Sequence, residues 1–266
     1  MTIKLYSKLT PVNSKFNFAN KNYIKTAFSR KITKPSTGSG TYSGMTMSYN
    51  FNSVIATVIF NGVTISGNAG NSGNGRFSSA GGTYTITNNN GLCGGVNGGA
   101  GGAGQNGGGQ AGGGGAVGGN VGSLGSAGGA AFTDFSGFLA AYAAAGYTAG
   151  GGFGKGGGGD SGSGNPVAGN IPGSGGGGGT INISGRSGGN GMILIQYTVN
   201  GTNNYRLVNQ VDGAGSITFP TGTSYVKAWA IGRGGDGASG YGAFDTGIYY
   251  SGAGGSGAGA AYCIFV

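Results

Sequence analysis

Residues 94–129 read GGVNGGAGGAGQNGGGQAGGGGAVGGNVGSLGSAGG, a run that contains almost no large side chain. Its order must therefore depend on the backbone. The run is either a flexible, low-complexity linker or a packed array of short helices with three residues per turn, the polyglycine-II conformation. Such a helix has no internal hydrogen bonds, so its N–H and C=O groups must bind those of neighbouring segments.

The segments on either side of this run are typical of β-strands. Upstream, residues 54–65 read VIATVIFNGVTI, in which Asn61–Gly62 is the strongest short hairpin signal. Downstream, residues 192–199 read MILIQYTV. A disordered chain would not border its glycine run with such aggregation-prone strands. The sequence therefore favours the ordered array, and it predicts a mostly β or irregular fold in which short strands flank packed polyglycine-II helices.

One short α-helix is predicted between the glycine runs. Residues 132–145 read FTDFSGFLAAYAAA, with Thr133 or Asp134 as the N-cap and Gly146 as the stop. We expect the aromatic residues of this segment to belong to the core rather than to a binding surface; they are Phe132, Phe135, Phe138 and Tyr142.

The body of the chain divides into two units with a common order of strand, glycine runs and strand. Residues 39–200 form the first unit, with further strands expected in residues 41–51 and 81–87. Residues 201–266 form the second, shorter unit, in which residues 211–232 supply strands around a Pro-Thr-Gly turn and AAYCIFV closes the chain.

Residues 1–38 are predicted to be a basic attachment arm. The chain has a formal net charge of +9, and eight of its basic residues, with no acidic one, precede Thr37. Such an arm could bind nucleic acid or an acidic surface. Its interleaved apolar residues favour docking against a partner protein and make nucleic acid a less favoured partner. The attachment candidates are Lys4, Lys8, Lys15, Phe16, Phe18, Lys21, Tyr23, Lys25, Arg30 and Lys31.

The composition argues against catalysis, cofactors and metals. The chain has no histidine and only five acidic residues, which leaves little for acid and base chemistry. The fragment GFGKGGGGD around Lys155 lacks the Ser or Thr that follows the lysine of a phosphate-binding loop. Asp160, Asp212 and Asp236 lie beside small residues and are interpreted as turn residues rather than metal ligands.

Membrane insertion is not expected, because no apolar run has the length of a membrane span. The N-terminal residues also lack the apolar region of a signal peptide. Cys93 and Cys263 could pair once, but without a secretory signal we expect them to be free, buried, small apolar residues.

Several segments resemble one known class of protein. Residues 219–237 (FPTGTSYVKAWAIGRGGDG), residues 254–266 (GGSGAGAAYCIFV) and residues 187–197 (SGGNGMILIQY) are similar to the glycine-rich domains of viral tail-fibre and tail-tip proteins. Best known among these are the distal adhesins of T-even-like bacteriophages. The resemblance covers roughly residues 40–266, and it implies a layered polyglycine-II sandwich with variable loops at one end.

These observations lead to a functional hypothesis of a non-enzymatic virion protein, assembled in the host cytoplasm, whose body presents loops to a protein or glycan receptor on the host. Aromatic residues are common anchors of binding surfaces. The receptor-contact candidates interrupt the last glycine run, with a core role as the alternative for them, and are Tyr241, Phe244, Tyr249 and Tyr250. Two further functions remain open: a minor capsid, cement or decoration protein held by its arm, and a polyglycine-II ice-binding protein.

Overall fold

The computed structural model describes residues 42–106, 110–118, 122, 128–129, 132, 134–150, 153–160, 165–243 and 248–265. The predicted arm, the possible N-cap Thr133 and the receptor-contact candidate Phe244 lie outside these residues. The described part of the chain is mostly β, with one α-helix and open sheets. This confirms the predicted β class and the single short helix.

The strands and the helix of the described residues follow in chain order. The strands are β1 (Thr46–Asn52), β2 (Ile55–Phe60), β3 (Val63–Gly67), β4 (Tyr84–Thr87), β5 (Cys93–Val96), β6 (Met192–Val199), β7 (Thr202–Asn209), β8 (Gly215–Thr218), β9 (Thr223–Ile231), β10 (Tyr241–Ala243), β11 (Ile248–Tyr250) and β12 (Ala260–Phe265). The helix α1 is Phe138–Ala144, and Gln210–Asp212 forms one turn of 3-10 helix.

Two five-stranded antiparallel sheets pack face to face as a sandwich. Their strand orders are β4-β3-β2-β1-β8 and β5-β12-β9-β6-β7, while β10 and β11 form a separate hairpin. Side chains of β1 alternate between exposed and buried, as expected for a sheet with one face on the core. Strands from residues 39–200 and from residues 201–266 pair within both sheets. The two predicted units therefore share their sheets and are not separate bodies.

The core of the sandwich is apolar and includes side chains from both sheets. Phe60 of β2 is at its centre, with ring centroids 5.2 Å from Phe219 and 5.2 Å from Phe265, both edge to face. The hydroxyl of Tyr42 donates a hydrogen bond of 2.6 Å to the carbonyl of Phe265. These contacts join the first described residues of the chain to the last strand.

Two of the tight hairpins of the sandwich have Asn-Gly turns. Asn61 and Gly62, with φ of 48° and 76°, join β2 to β3 and confirm the predicted hairpin. Asn200 and Gly201, with φ of 47° and 83°, join β6 to β7 in the same way. Both pairs need a positive φ at each central residue, which Asn and Gly tolerate best. The second hairpin adds β7, a strand that was not predicted.

The predicted start of the helix is wrong. Helix α1 begins at Phe138, and its N-cap is Gly137, with φ of 68° and no side-chain capping bond. Asp134 does not cap the helix, although its carboxylate accepts a 3.0 Å hydrogen bond from the amide of Leu139. Glycine adopts the left-handed conformation of this N-cap with less backbone strain than Thr or Asp would. Gly146, with φ of 87°, follows the end of the helix as predicted.

The aromatic segment around α1 covers the outer face of the second sheet. Its rings are buried in a cluster with Leu194 and Trp229, which agrees with the core role expected for them. Phe138 contacts Trp229 edge to face, with centroids 6.1 Å apart. Lys227 of β9 donates a 2.7 Å hydrogen bond to the carbonyl of Ser136, and its ammonium group lies 4.6 Å from the Trp229 ring centroid.

Cys93 and Cys263 form a disulfide, so the expectation of free thiols is wrong. The two residues occupy opposite positions in the antiparallel pair of β5 and β12. They are 170 residues apart in sequence, and only the pairing of these two strands brings them together. The bond joins the edge strand β5 to the sheet.

The rest of the described body consists of glycine-rich runs that are bonded to one another. We call these runs the glycine lattice; they are residues 67–75, 76–82, 98–105, 110–117, 153–160, 165–170, 173–180, 183–190, 232–240 and 251–259. They contain no assigned helix and few assigned bridges. Many of their backbone groups are nevertheless paired, because N–H groups of one run donate to carbonyls of other runs.

Residues 251–259, SGAGGSGAG, form the central run of the lattice, and every residue in it is buried. Its amides donate in rotation to three neighbouring runs, so that each neighbour receives a bond from every third residue. The bonds to the first neighbour are Ser251 to Gln105, Gly254 to Gly102 and Gly257 to Gly99; to the second, Gly252 to Gly179, Gly255 to Gly176 and Ala258 to Gly173; to the third, Ala253 to Gly75, Ser256 to Asn71 and Gly259 to Asn68. Carbonyls of the central run accept from three further runs, residues 76–82, 110–117 and 232–240.

Glycine is needed in the lattice because the backbones touch. A Cβ added to Gly255 would lie 2.0 Å from the carbonyl oxygen of Gly235, and one added to Gly257 would lie 2.3 Å from that of Ala116. Gly150, outside the lattice, has nothing within 4 Å of such a Cβ. The requirement is therefore steric and local to the packed runs.

Candidate functional site

The glycine runs meet the sheets at one end and turn at the other. Runs 67–75, 98–105 and 232–240 follow strands β3, β5 and β9, whereas runs 183–190 and 251–259 lead into β6 and β12. Their antiparallel bonds place the ends that are remote from the strands together. The lattice therefore has a sheet end and an opposite end, which we call the tip; its described residues are 74–77, 105–106, 180–183, 240–243 and 248–251.

The tip holds a cleft of about 430 Å³. Eight described residues from three separate segments line it: Asn74, Gly75, Arg76, Phe77, Asn106, Ile248, Tyr249 and Tyr250. The volume is within the range of about 300–1,000 Å³ that is usual for small-molecule sites. The chain therefore offers a concave surface at the end of a rigid array.

Backbone pairing fixes the walls of this cleft. Asn74 and Phe77 bridge across the tight turn between two runs, and Asn106 bridges to Tyr250. In the hairpin of β10 and β11, Tyr241 pairs with Tyr250, and their rings stack with centroids 5.4 Å apart. A Cβ on Gly75 would lie 3.7 Å from the Tyr250 ring, so this ring packs directly against the turn.

Among the described residues that line the cleft, Arg76 is the charged one. Its guanidinium donates a hydrogen bond to the side-chain oxygen of Asn106 and lies 5.3 Å from the centroid of the Phe77 ring. A guanidinium over an aromatic face is an attractive arrangement. The Asn106 contact and the Phe77 ring together hold the positive charge at the mouth of the cleft.

Several large apolar side chains of the tip are exposed to solvent. Phe77 is 66% exposed, Ile248 54% and Tyr241 47%, while Tyr249 and Tyr250 are half-buried. Aromatic rings that are held in place and still open to solvent are the usual anchors of a binding surface. The arrangement is thus suited to recognition of a ligand.

Three of the four receptor-contact candidates lie together at this site. Tyr241, Tyr249 and Tyr250 belong to the hairpin of β10 and β11, and Phe244 is outside the described residues. The arm candidates, from Lys4 to Lys31, are outside them as well.

Sequence reasoning missed the other side of the cleft. Arg76 and Phe77, in the fragment GNGRFSS, were not singled out, and neither were Asn74 and Asn106. The available signal was an adjacent basic and aromatic residue within a stretch of Gly, Asn and Ser. Their position beside a hairpin that begins more than 130 residues later in the chain depends on the register of the lattice, which the sequence does not reveal.

The aspartates noted in the sequence have structural partners. Asp212 accepts a 2.7 Å hydrogen bond from the amide of Asn209, and Asp236 forms a 2.6 Å ion pair with Arg233. Asp160 is buried and accepts a hydrogen bond from the hydroxyl of Thr180. Over the described ranges, no three side chains of the His, Cys, Asp and Glu types gather in a way that could hold a metal ion.

No protein-family model, curated protein or solved structure matches this chain. In the part of the chain that the structure describes, no helix has the length and apolar character needed to cross a membrane. The function must therefore be inferred from the lattice and its tip.

Proposed function

We propose that the chain is a non-enzymatic virion structural protein, a tail-fibre or tail-tip adhesin whose tip binds a host receptor. In this proposal the glycine lattice is an array of polyglycine-II helices, and residues 1–38 attach the protein to other virion proteins. The observation that carries the proposal is the position of the aromatic cleft, at the end of the lattice opposite the sheets.

The hydrogen bonds of the central run support the polyglycine-II assignment. A polyglycine-II helix has three residues per turn and no internal bonds, so successive amides must point to three different neighbours. In run 251–259 all nine amides donate to other runs, with a period of three residues. In a crystal structure, these residues should have φ near about −75° and ψ near about +145°. Values typical of antiparallel strands, with φ near about −140°, would contradict the assignment.

The arrangement of the tip supports a role in recognition. Binding residues are commonly found on loops that a rigid scaffold positions. The lattice is such a scaffold, because its central run is buried and all nine amides of that run donate to neighbouring runs. The tip turns join adjacent runs and carry the exposed rings of Phe77 and Tyr241. The resemblance to phage adhesins, in which loops lie at one end of a glycine sandwich, favours the same interpretation.

Gold labelling and an adsorption assay test the proposal. An antibody against the body of the protein should label particles at the end of a fibre or tail, in few copies. Purified protein should also block adsorption of these particles to their host cells, whereas the Tyr250→Ala variant should block poorly. Tyr147→Ala is the matched control, because Tyr147 is 43% exposed, stacks on Tyr142 of α1 and does not line the cleft.

Two results would contradict the adhesin proposal. Labelling at regular lattice sites over a shell would favour the cement or decoration function. Failure of the purified wild-type protein to compete for adsorption would exclude the tip from receptor binding, even if labelling placed the protein on the particle.

A further inference from the structure

We propose that the tip cleft binds a carboxylate-bearing sugar, with the sugar ring packed on the Tyr250 side of the cleft and its carboxylate bound by Arg76. The inference rests on the proposed adhesin function and names the class of receptor, an acidic glycan rather than a protein. Four features of the cleft support it: its aromatic walls, its donors, its charge and its size.

The aromatic walls provide a platform for a sugar ring. Tyr241 and Tyr250 stack with ring planes 26° apart, and the Tyr250 ring lies against the Gly75 turn. One face of a pyranose consists of C–H groups, and such a face packs well on a fixed aromatic ring through dispersion and weak C–H contacts. Phe77, which is 66% exposed, supplies a second apolar wall across the cleft.

The polar groups of the cleft suit hydroxyls and a carboxylate. Arg76 has five N–H donors in a planar fork, and the oxygen of Asn106 accepts from only one of its nitrogens, Nη1. The remaining donors can bind a carboxylate in a bidentate way, which is the strongest form of this contact. Asn74 and Asn106 are exposed, and each amide can both donate to and accept from sugar hydroxyls.

The charge and the size of the cleft favour an acidic sugar over a protein epitope. None of the eight described lining residues is acidic, and one of them is basic, so an anionic group meets attraction without an opposing carboxylate. A cleft of about 430 Å³ accommodates one or two sugar rings. A stable protein interface buries about 800 Å² on each partner, which is far more than these eight residues present.

Pairs of immobilised oligosaccharides that differ by one carboxylate test the proposal on the full-length protein. One pair is a glucose oligosaccharide and its glucuronate analogue; another is a galactose-terminated glycan and its sialylated form. We expect the acidic member to bind about tenfold more tightly than the neutral one, as for one charge-assisted contact. Tyr250→Ala should weaken binding of both members about tenfold, since it removes the ring platform.

Arg76→Gln separates the carboxylate contact from the stacking contact. It should weaken binding of the acidic member about tenfold and so abolish its preference over the neutral member, whereas Arg76→Lys should retain part of the preference. Arg206→Gln is the matched control, because Arg206 is also exposed and also lies over a tyrosine ring, that of Tyr49 at 6.0 Å. All variants should unfold at the wild-type temperature, because the substituted side chains lie outside the buried cores.

Three results would overturn the proposal. The first is the absence of binding to any member of the pairs, and the second is equal binding of acidic and neutral members. The third is adsorption to host cells that survives periodate oxidation of their glycans and is lost after protease treatment. That third result would identify a protein receptor and leave the adhesin function intact, so the two proposals fail separately.

Discussion

At Ile231 the chain leaves the strand sandwich and enters the glycine lattice, and the manner of its packing changes from one residue to the next. Strand β9 before this point buries Val226, Ala228 and Trp229 against other side chains. Run 232–240 after it has glycine at four positions where an added Cβ would lie within 2.3 Å of a neighbouring backbone atom. In the sandwich, burial of apolar surface stabilises the fold; in the lattice, hydrogen bonds and close backbone contact take its place.

This difference predicts opposite sensitivities to substitution. The sandwich should lose stability when a large buried side chain is replaced by a smaller one, because a cavity remains. The lattice should lose stability when a glycine is replaced by a larger residue, because the added atoms clash with backbone atoms that cannot rotate away. The exposed side chains of the tip pack in neither of these ways, so their substitution should leave the stability unchanged while it weakens binding.

The largest effect is expected from Phe60→Ala in the sandwich. Phe60 is 1% exposed and contacts two other rings edge to face. Its removal should lower the free energy of unfolding by about 3–5 kcal/mol, measured by denaturant titration. Phe77→Ala at the tip is the matched control, because that ring is 66% exposed and should change stability by less than about 0.5 kcal/mol. Similar losses in the two variants would contradict the distinction.

The disulfide should contribute somewhat less than the central ring. Replacing Cys93 and Cys263 together by alanine should lower the free energy of unfolding by about 2–4 kcal/mol, because the bond restrains a long loop in the unfolded chain. A reductant should reproduce this loss in the wild type and leave the double variant unchanged. If reduction left the unfolding midpoint of the wild type unaltered, the bond would be irrelevant to stability.

A single methyl group should be enough to damage the lattice. Gly255→Ala places a Cβ 2.0 Å from a carbonyl oxygen, and we expect a loss of about 1–3 kcal/mol from overpacking. Gly150→Ala is the control, because nothing lies within 4 Å of its new Cβ, and it should be neutral or stabilising by less than about 1 kcal/mol. Equal unfolding free energies for the two variants would show that backbone contact does not limit the lattice.

Local signals in the sequence were sufficient for much of the sandwich. Asn61–Gly62 and the run MILIQYTV predicted a hairpin and a strand with correct positions. Strand β7 was missed although Asn200–Gly201 carries the same turn signal, because residues 202–209 mix polar and apolar side chains without clear alternation. The disulfide was missed for another reason: its partners are brought together only by the neighbouring positions of β5 and β12.

The lattice and its cleft were less accessible to sequence reasoning. Glycine runs have no side-chain pattern that fixes a partner or a register, so the bonds from run 251–259 to its six neighbours could not be derived. The aromatic group of Tyr241, Tyr249 and Tyr250 was visible as a local cluster. Arg76 and Phe77 reach the same cleft from a distant turn, and a contact of that kind is a property of the packed runs.

The smallest expected effect concerns Lys227, a charged residue at the edge of the aromatic cluster that covers the sandwich. Burial lowers the pKa of Lys227 below its ordinary value of 10.5, and the nearby Asp134 carboxylate opposes this shift in part. Its ammonium group also lies close to the rings of Trp229 and Tyr262. Lys227→Met keeps the length of the side chain and removes both the charge and the hydrogen bond to the carbonyl of Ser136.

At pH 7, Lys227→Met should lower the free energy of unfolding by about 1 kcal/mol, the usual contribution of one hydrogen bond. Between the lowered pKa of Lys227 and 10.5, the folded wild type binds fewer protons than the unfolded chain, so its stability rises with pH across that window. Burial raises the pKa of the Tyr42, Tyr142 and Tyr225 hydroxyls, which lowers stability above about pH 10, but in both proteins alike. The difference in unfolding free energy between wild type and Lys227→Met should therefore increase as pH approaches 10.5, as measured by denaturant titrations at several pH values. A difference that stays constant with pH would show that Lys227 is solvated in the folded chain.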